Sequence, residues 1–460
     1  MLIYNSLAAT KTEFTPITPG EIKIYACGQT IYDYCHIGHA RSMIVFDMVV
    51  RYLRSQNYKV TFVRNITDID DKIIKRAAEN KEPCDVLTKR FIDIMHEDEK
   101  ALGLLKVDHE PRATEFIMPI IELIQVLLKE DIAYIAQNGD VCFAVRKFKD
   151  YGKLSKRNIE DLLSGARIEI GEFKNDPLDF VLWKLAKPNE PQWESPWGSG
   201  RPGWHIECSA MASNILGKTF DIHGGGMDLK FPHHENEIAQ SEAAHHCTFA
   251  NTWMHVGLLN VNGEKMSKSL NNFFTIRDVL AKHSSEVIRY FMLSSHYRSP
   301  VNYSEESMER AHQALTRLYT ALRGLDLSDV TNNGFMAAPG FLNAMNDDFN
   351  SPIALAVLFD IAREINRLRE VNDVRQATLL ALQLKKLGEI FGILQNDPEI
   401  FLQGNVSDDF SKQVESLIAA RALAKKNKNY AEADRIRHEL QELKVAIEDG
   451  VHGTSWRIIT

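Results

Sequence analysis

Alternating polar and apolar positions near the start of the chain predict a strand, a helix and a second strand. Residues 21–26 alternate and then meet a glycine, which indicates a strand that ends in a turn. Apolar residues recur at helical spacing over 40–56, and 59–63 form a short run typical of a strand. Such a unit favours a parallel sheet, in which ligands bind beyond the carboxyl ends of the strands. We expect 27–39 and 67–71 to lie at those ends.

Two changes of pattern divide the rest of the chain. Residues at about 110–200 combine helical stretches with a segment rich in proline and tryptophan, which predicts an insertion between two halves of the sheet. The second half brings two more predicted strands, at 220–226 and 253–259. From about 303 onward the apolar spacing is helical, which favours a helix bundle. The predicted fold class is therefore α/β, with a doubly wound parallel (Rossmann-type) sheet.

The length of 460 residues exceeds what a single core usually holds, and we expect three domains. They are a Rossmann-type domain at 1–300 with its insertion at about 110–200, a helix bundle at 301–400, and a small C-terminal module at 401–460. Helices of the bundle are predicted at 311–325, 351–371 and 374–394. The module is predicted to hold two charged helices and an irregular tail over 448–456.

Composition constrains the class of protein. Hydrophobic residues make up 44% and charged residues 25% of the chain, as in ordinary globular proteins. No apolar run reaches the ~18 residues needed to span a bilayer, and the first residues lack the features of a secretory signal. Six dispersed cysteines without a Cys-x-x-Cys pair indicate free thiols in a reducing cytoplasm. The net charge of −8 argues against extensive nucleic-acid coating but allows local basic surfaces.

A first chemical motif, His36-Ile37-Gly38-His39, lies at the predicted start of a helix. Side chains three apart in a helix face the same way, and Gly38 allows close approach of a ligand to the backbone. The amino end of a helix binds phosphate, to which the two imidazoles can donate hydrogen bonds. Two histidines that merely cap a turn, or a metal-binding pair, are the alternatives.

A second motif, Lys265-Met266-Ser267-Lys268-Ser269, follows an Asn-Gly turn. Two lysines separated by small residues suit a mobile clamp on pyrophosphate, although a solvated basic loop has the same composition. The two motifs occur in this order, each after a predicted strand in a different half of the sheet. Together they resemble the signatures of class I aminoacyl-tRNA synthetases.

That resemblance implies ATP-dependent activation of an amino acid, catalysed mainly by positioning and charge stabilisation. By this resemblance, the expected catalytic residues are His36, His39, Lys265 and Lys268. The substrate is expected to be Mg-ATP, and the residues expected to bind it are Gly28, Gly38, His223, Gly225 and Lys268.

Four further segments narrow the resemblance to one family. Residues 27–33, 203–211, 223–229 and 231–237 closely resemble the cysteinyl-tRNA synthetases, and the similarity extends over essentially the whole chain. The resemblance implies a cysteine–tRNA ligase that forms cysteinyl-adenylate and transfers cysteine to tRNA(Cys). It also implies a cytoplasmic monomer that needs no membrane.

The family holds one zinc ion in its amino-acid pocket, and by motif position the ligands here are Cys27, Cys208, His233 and Glu237. Two thiolates, an imidazole and a carboxylate are ordinary zinc donors, and His233 and Glu237 are four apart, on one face of a helix. Without the resemblance, the alternative for Cys208 is a small apolar side chain buried in the core. The rival ligands are His234, Cys35 and the run 245–247.

The resemblance assigns three more residues to the substrate pocket, namely Thr67, Trp204 and Asp228. Asp228 follows a glycine turn and is expected at the substrate ammonium or at a ribose hydroxyl. Core packing is the alternative for Trp204.

The C-terminal module reads the anticodon in the resembled family. Residues 421–437 carry six basic and two acidic side chains, a local charge of 6 − 2 = +4. A basic helix face suits contact with RNA, although a solvated helix has the same pattern. Trp456, in the predicted irregular tail, is expected to stack on an unpaired base.

Two other functions compete with this one. A cysteine:amino-sugar ligase of low-molecular-weight thiol synthesis shares the zinc and nucleotide motifs but should lack an anticodon module. A non-catalytic RNA- or zinc-binding protein derived from a synthetase is the other. The intact histidines and lysines argue against it.

Overall fold

The computed structural model divides the chain into two compact units, Met1–Tyr303 with Pro339–Ala354, and Ser304–Ala338 with Leu355–Thr460. The residues that the structure describes are 1–158, 173–266, 272–327, 338–404, 406–450 and 453–458.

The strands are β1 (Leu2–Asn5), β2 (Thr10–Glu13), β3 (Glu21–Ala26), β4 (Lys59–Arg64), β5 (Ala133–Ile135), β6 (Val141–Phe143), β7 (Phe180–Leu185), β8 (Gly200–Pro202), β9 (Phe220–Gly226), β10 (Ala250–Val256), β11 (Leu259–Val261), β12 (Glu264–Lys265), β13 (Val301–Tyr303), β14 (Val445–Gly450) and β15 (Gly453–Ile458). The helices are α1 (Ile37–Ser55), α2 (Asp71–Asn80), α3 (Cys84–Ala101), α4 (Ile117–Lys129), α5 (Trp204–Leu216), α6 (Glu235–His245), α7 (Ile276–Leu280), α8 (Ser285–Leu293), α9 (Glu305–Leu322), α10 (Pro339–Asn346), α11 (Ser351–Glu370), α12 (Val374–Phe391), α13 (Pro398–Gln403), α14 (Asp408–Lys426) and α15 (Tyr430–Glu442).

A four-stranded parallel sheet in the order β10-β9-β3-β4 forms the centre of the first unit. The register places Tyr25 between His223 on one side and Val63 on the other. The helix α1 follows β3 and precedes β4 in the chain. It buries most of its apolar residues, as expected for a helix that packs on a sheet. The α/β fold with a parallel, Rossmann-type sheet is therefore confirmed, with the loops after β3, β4 and β9 at its carboxyl edge.

The insertion, predicted to combine helical stretches with a segment rich in proline and tryptophan, also contains strands that were not predicted. After α4 it contains an antiparallel sheet in the order β5-β6-β7-β8. Its core includes Phe143 and Phe180, whose ring centroids are 4.9 Å apart, and the fully buried Trp183. Most of these strands have only three residues, too few for a period of two to be told from a helical pattern.

The second unit is helical up to its last segment. The three predicted bundle helices correspond to α9, α11 and α12. The prediction of an irregular tail at the end of this unit is wrong, because β14 and β15 pair as an antiparallel hairpin. Among the described residues, no helix of the chain has both the length and the apolar content needed to cross a membrane.

Trp456 does not have the exposed position that was predicted for it. It lies in β15 with 4% of its surface exposed and packs in a core with Val414, Ile436 and Leu440. An indole enclosed in this way stabilises the module and does not offer its face to a base. The prediction that Trp456 stacks on RNA is therefore wrong for this structure, because the tail that carries it is a paired strand.

Candidate active site

A cleft of about 1730 Å³ opens at the carboxyl edge of the parallel sheet. It brings together residues that are far apart in the sequence. The predicted site residues that line it are Cys27, Gly28, His36, Gly38, His39, Trp204 and Asp228. The wall also includes Gly257, Leu258 and Met266, which follow β10 and β12.

The two histidines of the first motif cap α1 and line the cleft at the same time. Nδ1 of His36 accepts from the backbone N–H of His39, and Nδ1 of His39 accepts from that of His36, both at 3.3 Å. The rings stack with centroids 3.5 Å apart, and a Cβ on Gly38 would lie 2.9 Å from His36 Nδ1. Capping therefore uses Nδ1 of each ring.

Burial lowers the pKa of His39 well below its usual value, and the nearby His36 and Lys72 lower it further. The ring is therefore neutral at physiological pH. A neutral imidazole whose Nδ1 accepts a backbone hydrogen bond carries its proton on Nε2. His39 is thus prepared to donate one hydrogen bond into the cleft.

Buried neutral histidines also predict a dependence of stability on pH. Besides His39, burial lowers the pKa of His255 to about 3. Since both have a pKa of about 6.5 in the unfolded chain, that chain binds more protons below this pH, and acid favours unfolding. We expect the free energy of unfolding of the first unit to fall by roughly 3 kcal/mol per pH unit below pH 6 from these two groups.

Urea titrations at several pH values between 7.5 and 5 measure this decrease. His255→Asn should make it less steep by about 1.4 kcal/mol per pH unit, because one titrating group is removed. Stability that stays constant from pH 7 to pH 5 would contradict the buried neutral histidines.

The second motif is only partly described. The backbone of Lys265 belongs to β12, which pairs antiparallel with β11, and Met266 lines the cleft. Lys268 lies outside the described residues. The catalytic roles of both lysines stay predictions.

Four buried residues meet at the sheet end of the cleft, with their ligand atoms all within 4.8 Å of one another, namely Cys27, Cys208, His233 and Glu237. The two Sγ atoms are 3.7 Å apart. Oε1 of Glu237 is 3.3 Å from Cys27 Sγ and 3.0 Å from His233 Nε2. Cys27 follows β3, Cys208 lies in α5, and His233 precedes α6, which carries Glu237. Three elements therefore supply the four donors.

The donor set fits a zinc ion. Two thiolates bound to one tetrahedral zinc at ~2.3 Å lie about 3.8 Å apart, close to the sulfur separation here. Each imidazole and carboxylate donor also has an outer partner, as metal ligands usually do. Nδ1 of His233 is 2.9 Å from His205 Nδ1, and Oε2 of Glu237 is 2.7 Å from His223 Nε2.

The protonation of the cluster follows from burial and close charges. Burial raises the pKa of the Cys27 thiol well above its usual value, whereas the hydrogen bond from Cys27 lowers the pKa of Cys208 to about 6. Burial opposes charge on His233, but Glu237 and Cys208 raise its pKa to about 10. Binding of a metal would therefore have to displace protons from these donors.

The rival ligands lie differently. His234, with His223, forms a second close group around Cys27, but His234 Nδ1 is 2.9 Å from His255 Nε2, and His223 is engaged with Glu237. Cys35 and the run 245–247 belong to none of the metal-ligand groups found among the described residues.

The structure corrects the expected position of His223 at the nucleotide. His223 is fully buried, stacks on Trp253 with centroids 4.4 Å apart, and hydrogen-bonds Glu237. It supports the four-residue cluster and is not among the residues that line the cleft. Gly225 lies beside it in β9, where a Cβ would come within 2.9 Å of Leu229, and its role at ATP stays a prediction.

The pocket residues occupy three different environments. Trp204 lines the cleft with 39% of its surface exposed, and its ring centroid is 4.2 Å from that of His233. The alternative prediction, that Trp204 packs in the core, is therefore wrong. Thr67 is buried and its hydroxyl lies 2.9 Å from Glu207 Oε2, whereas Asp228 is exposed in the cleft. Sequence reasoning missed the supporting Glu207 and His205, because neither has a spacing that distinguishes it from a core residue.

Half of the six basic side chains in the segment 421–437 are paired with carboxylates. Arg421 and Lys425 both pair with Asp449, and Arg435 pairs with Glu432 and Glu439. Lys426, the last residue of α14, and Lys428, in the turn before α15, are exposed and have no carboxylate partner in the described part of the chain. Tyr430 follows them with 63% of its surface exposed.

Family models match nearly the whole chain. Residues 13–313 match the tRNA synthetases class I (C) catalytic domain, 340–395 match the DALR domain, and 407–457 match the cysteinyl-tRNA ligase anticodon binding domain. Among similar proteins, the cysteine–tRNA ligase of Coxiella burnetii (strain Dugway 5J108-111) is 59% identical over 99% of this chain and 100% of its own length. That of Halorhodospira halophila is 58% identical over 99% of both chains.

Solved structures show the same fold at much lower identity. A methionyl-tRNA synthetase of Mycobacterium tuberculosis in complex with methionyl-adenylate is 15% identical, with a TM-score of 0.57 over 83% of this chain and 90% of that one. A putative arginyl-tRNA synthetase of Campylobacter jejuni is 14% identical, with a TM-score of 0.53 over 82% and 94% of the two chains.

Proposed function

The chain belongs to the cysteine–tRNA ligases, a class I family of aminoacyl-tRNA synthetases, and we propose that Cys27, Cys208, His233 and Glu237 bind the zinc ion that selects cysteine. The reaction is the ATP-dependent attachment of cysteine to tRNA. The observation that carries the zinc proposal is the meeting of four buried donors at the cleft that the two histidines also line.

The first step joins the substrate carboxylate to ATP. A carboxylate oxygen attacks the α-phosphorus, the bond to the bridging oxygen breaks, and pyrophosphate leaves. His36 and His39 donate hydrogen bonds to the phosphate oxygens, on which negative charge builds, and the amino end of α1 adds its dipole. Lys265 and Lys268 hold the leaving pyrophosphate, with Mg²⁺ carried by ATP. A hydroxyl of the terminal tRNA adenosine then attacks the acyl carbon, and AMP leaves.

Selection of the amino acid depends on the chemistry of sulfur. A zinc ion held by the four cluster residues would supply a Lewis acid that favours the soft thiolate of cysteine over the hard hydroxyl of serine. An apolar pocket separates isosteres by only about a hundredfold, so a metal–sulfur contact explains specificity without an editing domain. Thr67, Trp204 and Asp228 would surround the rest of the substrate.

The cysteine:amino-sugar ligase is not favoured. The relatives that match at 57–59% identity over nearly the full chain are cysteine–tRNA ligases. Residues 407–457 match an anticodon binding domain, which a tRNA ligase needs and an amino-sugar ligase does not.

Pyrophosphate exchange screened over all amino acids, followed by charging of a tRNA(Cys) transcript, tests the function. We expect exchange with cysteine alone and cysteine attached to tRNA. Exchange with a different amino acid, or transfer of cysteine to an amino-sugar and not to tRNA, would contradict it.

We propose that the turn between α14 and α15 contacts the anticodon of tRNA(Cys). Lys426, just before this turn, and Lys428 within it suit contact with phosphates, and the exposed ring of Tyr430 suits stacking on a base. Tyr430 thus takes the role that was predicted for Trp456. Six free cysteines agree with the cytoplasm.

Tyr430→Ala should raise KM for tRNA roughly tenfold, the loss expected for one base stack, and leave pyrophosphate exchange unchanged. Steady-state aminoacylation measures this KM. Leu379→Ala, which removes an exposed side chain of α12, is the matched control and should change neither reaction. An unchanged KM for tRNA in Tyr430→Ala would remove Tyr430 from the contact surface.

A further inference from the structure

Arg41 is a buried arginine on α1, two residues after His39, with 1% of its surface exposed. Its guanidinium donates to three backbone carbonyls, those of Met292, His296 and Ser299, the last two at 3.1 and 3.2 Å. In the described part of the chain no carboxylate forms an ion pair with it. A buried charge that is held by carbonyls alone is costly, so its surroundings point to a specific task.

The carbonyls that Arg41 contacts belong to the end of α8 and the segment that follows, 294–300. A cation near the carboxyl end of a helix is favourable, which explains how the charge is tolerated there. The opposite side of this segment supports the cleft. The carbonyl of Tyr297 accepts from the N–H of Gly257 at 2.8 Å, and the N–H of Val301 donates to the carbonyl of Leu258 at 3.0 Å.

Packing between this segment and Gly257 is close. A Cβ on Gly257 would lie 2.4 Å from the carbonyl oxygen of Ser299, one of the oxygens that Arg41 holds. Gly257 and Leu258 line the cleft, and Leu258 leaves 40% of its surface exposed there. A displacement of the segment would therefore move this wall.

We propose that Arg41 is a positioning residue for ATP, a role that rests on the proposed function. One end of the connection is α1, whose histidines contact the phosphates. The other end is the wall at Gly257 and Leu258, whose apolar surface suits the adenine base. Arg41 fixes the distance between the two and takes no part in bond formation. It touches none of the four cluster residues, so it acts on ATP and not on cysteine.

Arg41→Lys tests this role in the full-length, zinc-loaded protein. Lysine keeps the charge but cannot reach three carbonyls with a planar fork. We expect the Kd for ATP, measured by calorimetry without amino acid, and the KM for ATP in exchange both to rise roughly tenfold, while KM for cysteine stays unchanged.

Arg289→Lys is the matched control. Arg289 is also fully buried, and it joins α8 to α1 through Asp47 and donates to the backbone carbonyl of Leu102. It should lower Tm as Arg41→Lys does, without a change in the Kd for ATP. Equal losses of ATP affinity in both variants, or an unchanged Kd in Arg41→Lys, would overturn the proposal.

Gly257→Ala tests the same connection from the other side if Arg41→Lys does not fold. Its Cβ pushes against the Ser299 carbonyl, and the same selective loss of ATP affinity is expected; normal ATP affinity would overturn the proposal. Because ATP binding is measured without amino acid, this result is independent of whether cysteine is the amino acid activated.

Discussion

His39→Asn should reduce cysteine-dependent pyrophosphate exchange roughly 100- to 1000-fold, the usual loss for one donor to a developing oxyanion. The side chain of asparagine can still accept the hydrogen bond from the backbone N–H of His36, so the cap of α1 is kept. What disappears is the Nε2 donor that burial keeps in its neutral form. The defect should lie in kcat, because charge on the phosphates builds up in the transition state.

Exchange kinetics and Tm of the same preparation measure this effect. His109→Asn is the matched control, since His109 is exposed and does not line the cleft, and it should keep full exchange. Full exchange in His39→Asn with an unchanged Tm would remove His39 from catalysis.

Cys208→Ser should release the zinc. The serine oxygen is hard and stays protonated, so a site with one thiolate, one imidazole and one carboxylate binds zinc much more weakly. We expect metal analysis of the purified variant to show a fall from about one zinc per chain to nearly none. Exchange with cysteine should be lost together with the metal.

Cys142→Ser is the matched control for a buried thiol. Cys142 is buried in β6 within the core of the insertion and belongs to none of the metal-ligand groups among the described residues. It should keep its zinc at the cost of some stability. Unchanged zinc in Cys208→Ser would remove Cys208 from the ligand set.

Local patterns were enough to predict the elements that carry the phosphate motif. The alternation before Cys27 and the helical spacing after His39 correspond to β3 and α1, because each pattern continues over a whole buried element. The spacing of His233 and Glu237 likewise predicted one shared face, and their side chains are 3.0 Å apart. Local spacing is a sufficient guide where two residues lie four apart, as these do across the start of α6.

Long-range assembly was not accessible in the same way. Cys27 and Cys208 are 181 positions apart and meet only because β3 and α5 pack together, so only the family resemblance could bring them into one prediction. The burial of His223 depends on its ring stacking on Trp253 from the next strand. Trp456 was misjudged because the tail was predicted to be irregular, whereas β14 and β15 pair over six residues each and enclose its side chain.

X-ray absorption at the zinc edge, with and without substrate, tests the central claim most directly. Without cysteine the ion should have two sulfur ligands at ~2.3 Å, from Cys27 and Cys208. Addition of cysteine should raise the number to three, and addition of serine should leave it at two. A protein without zinc, or a sulfur count that cysteine does not change, would contradict selection of the substrate through its sulfur.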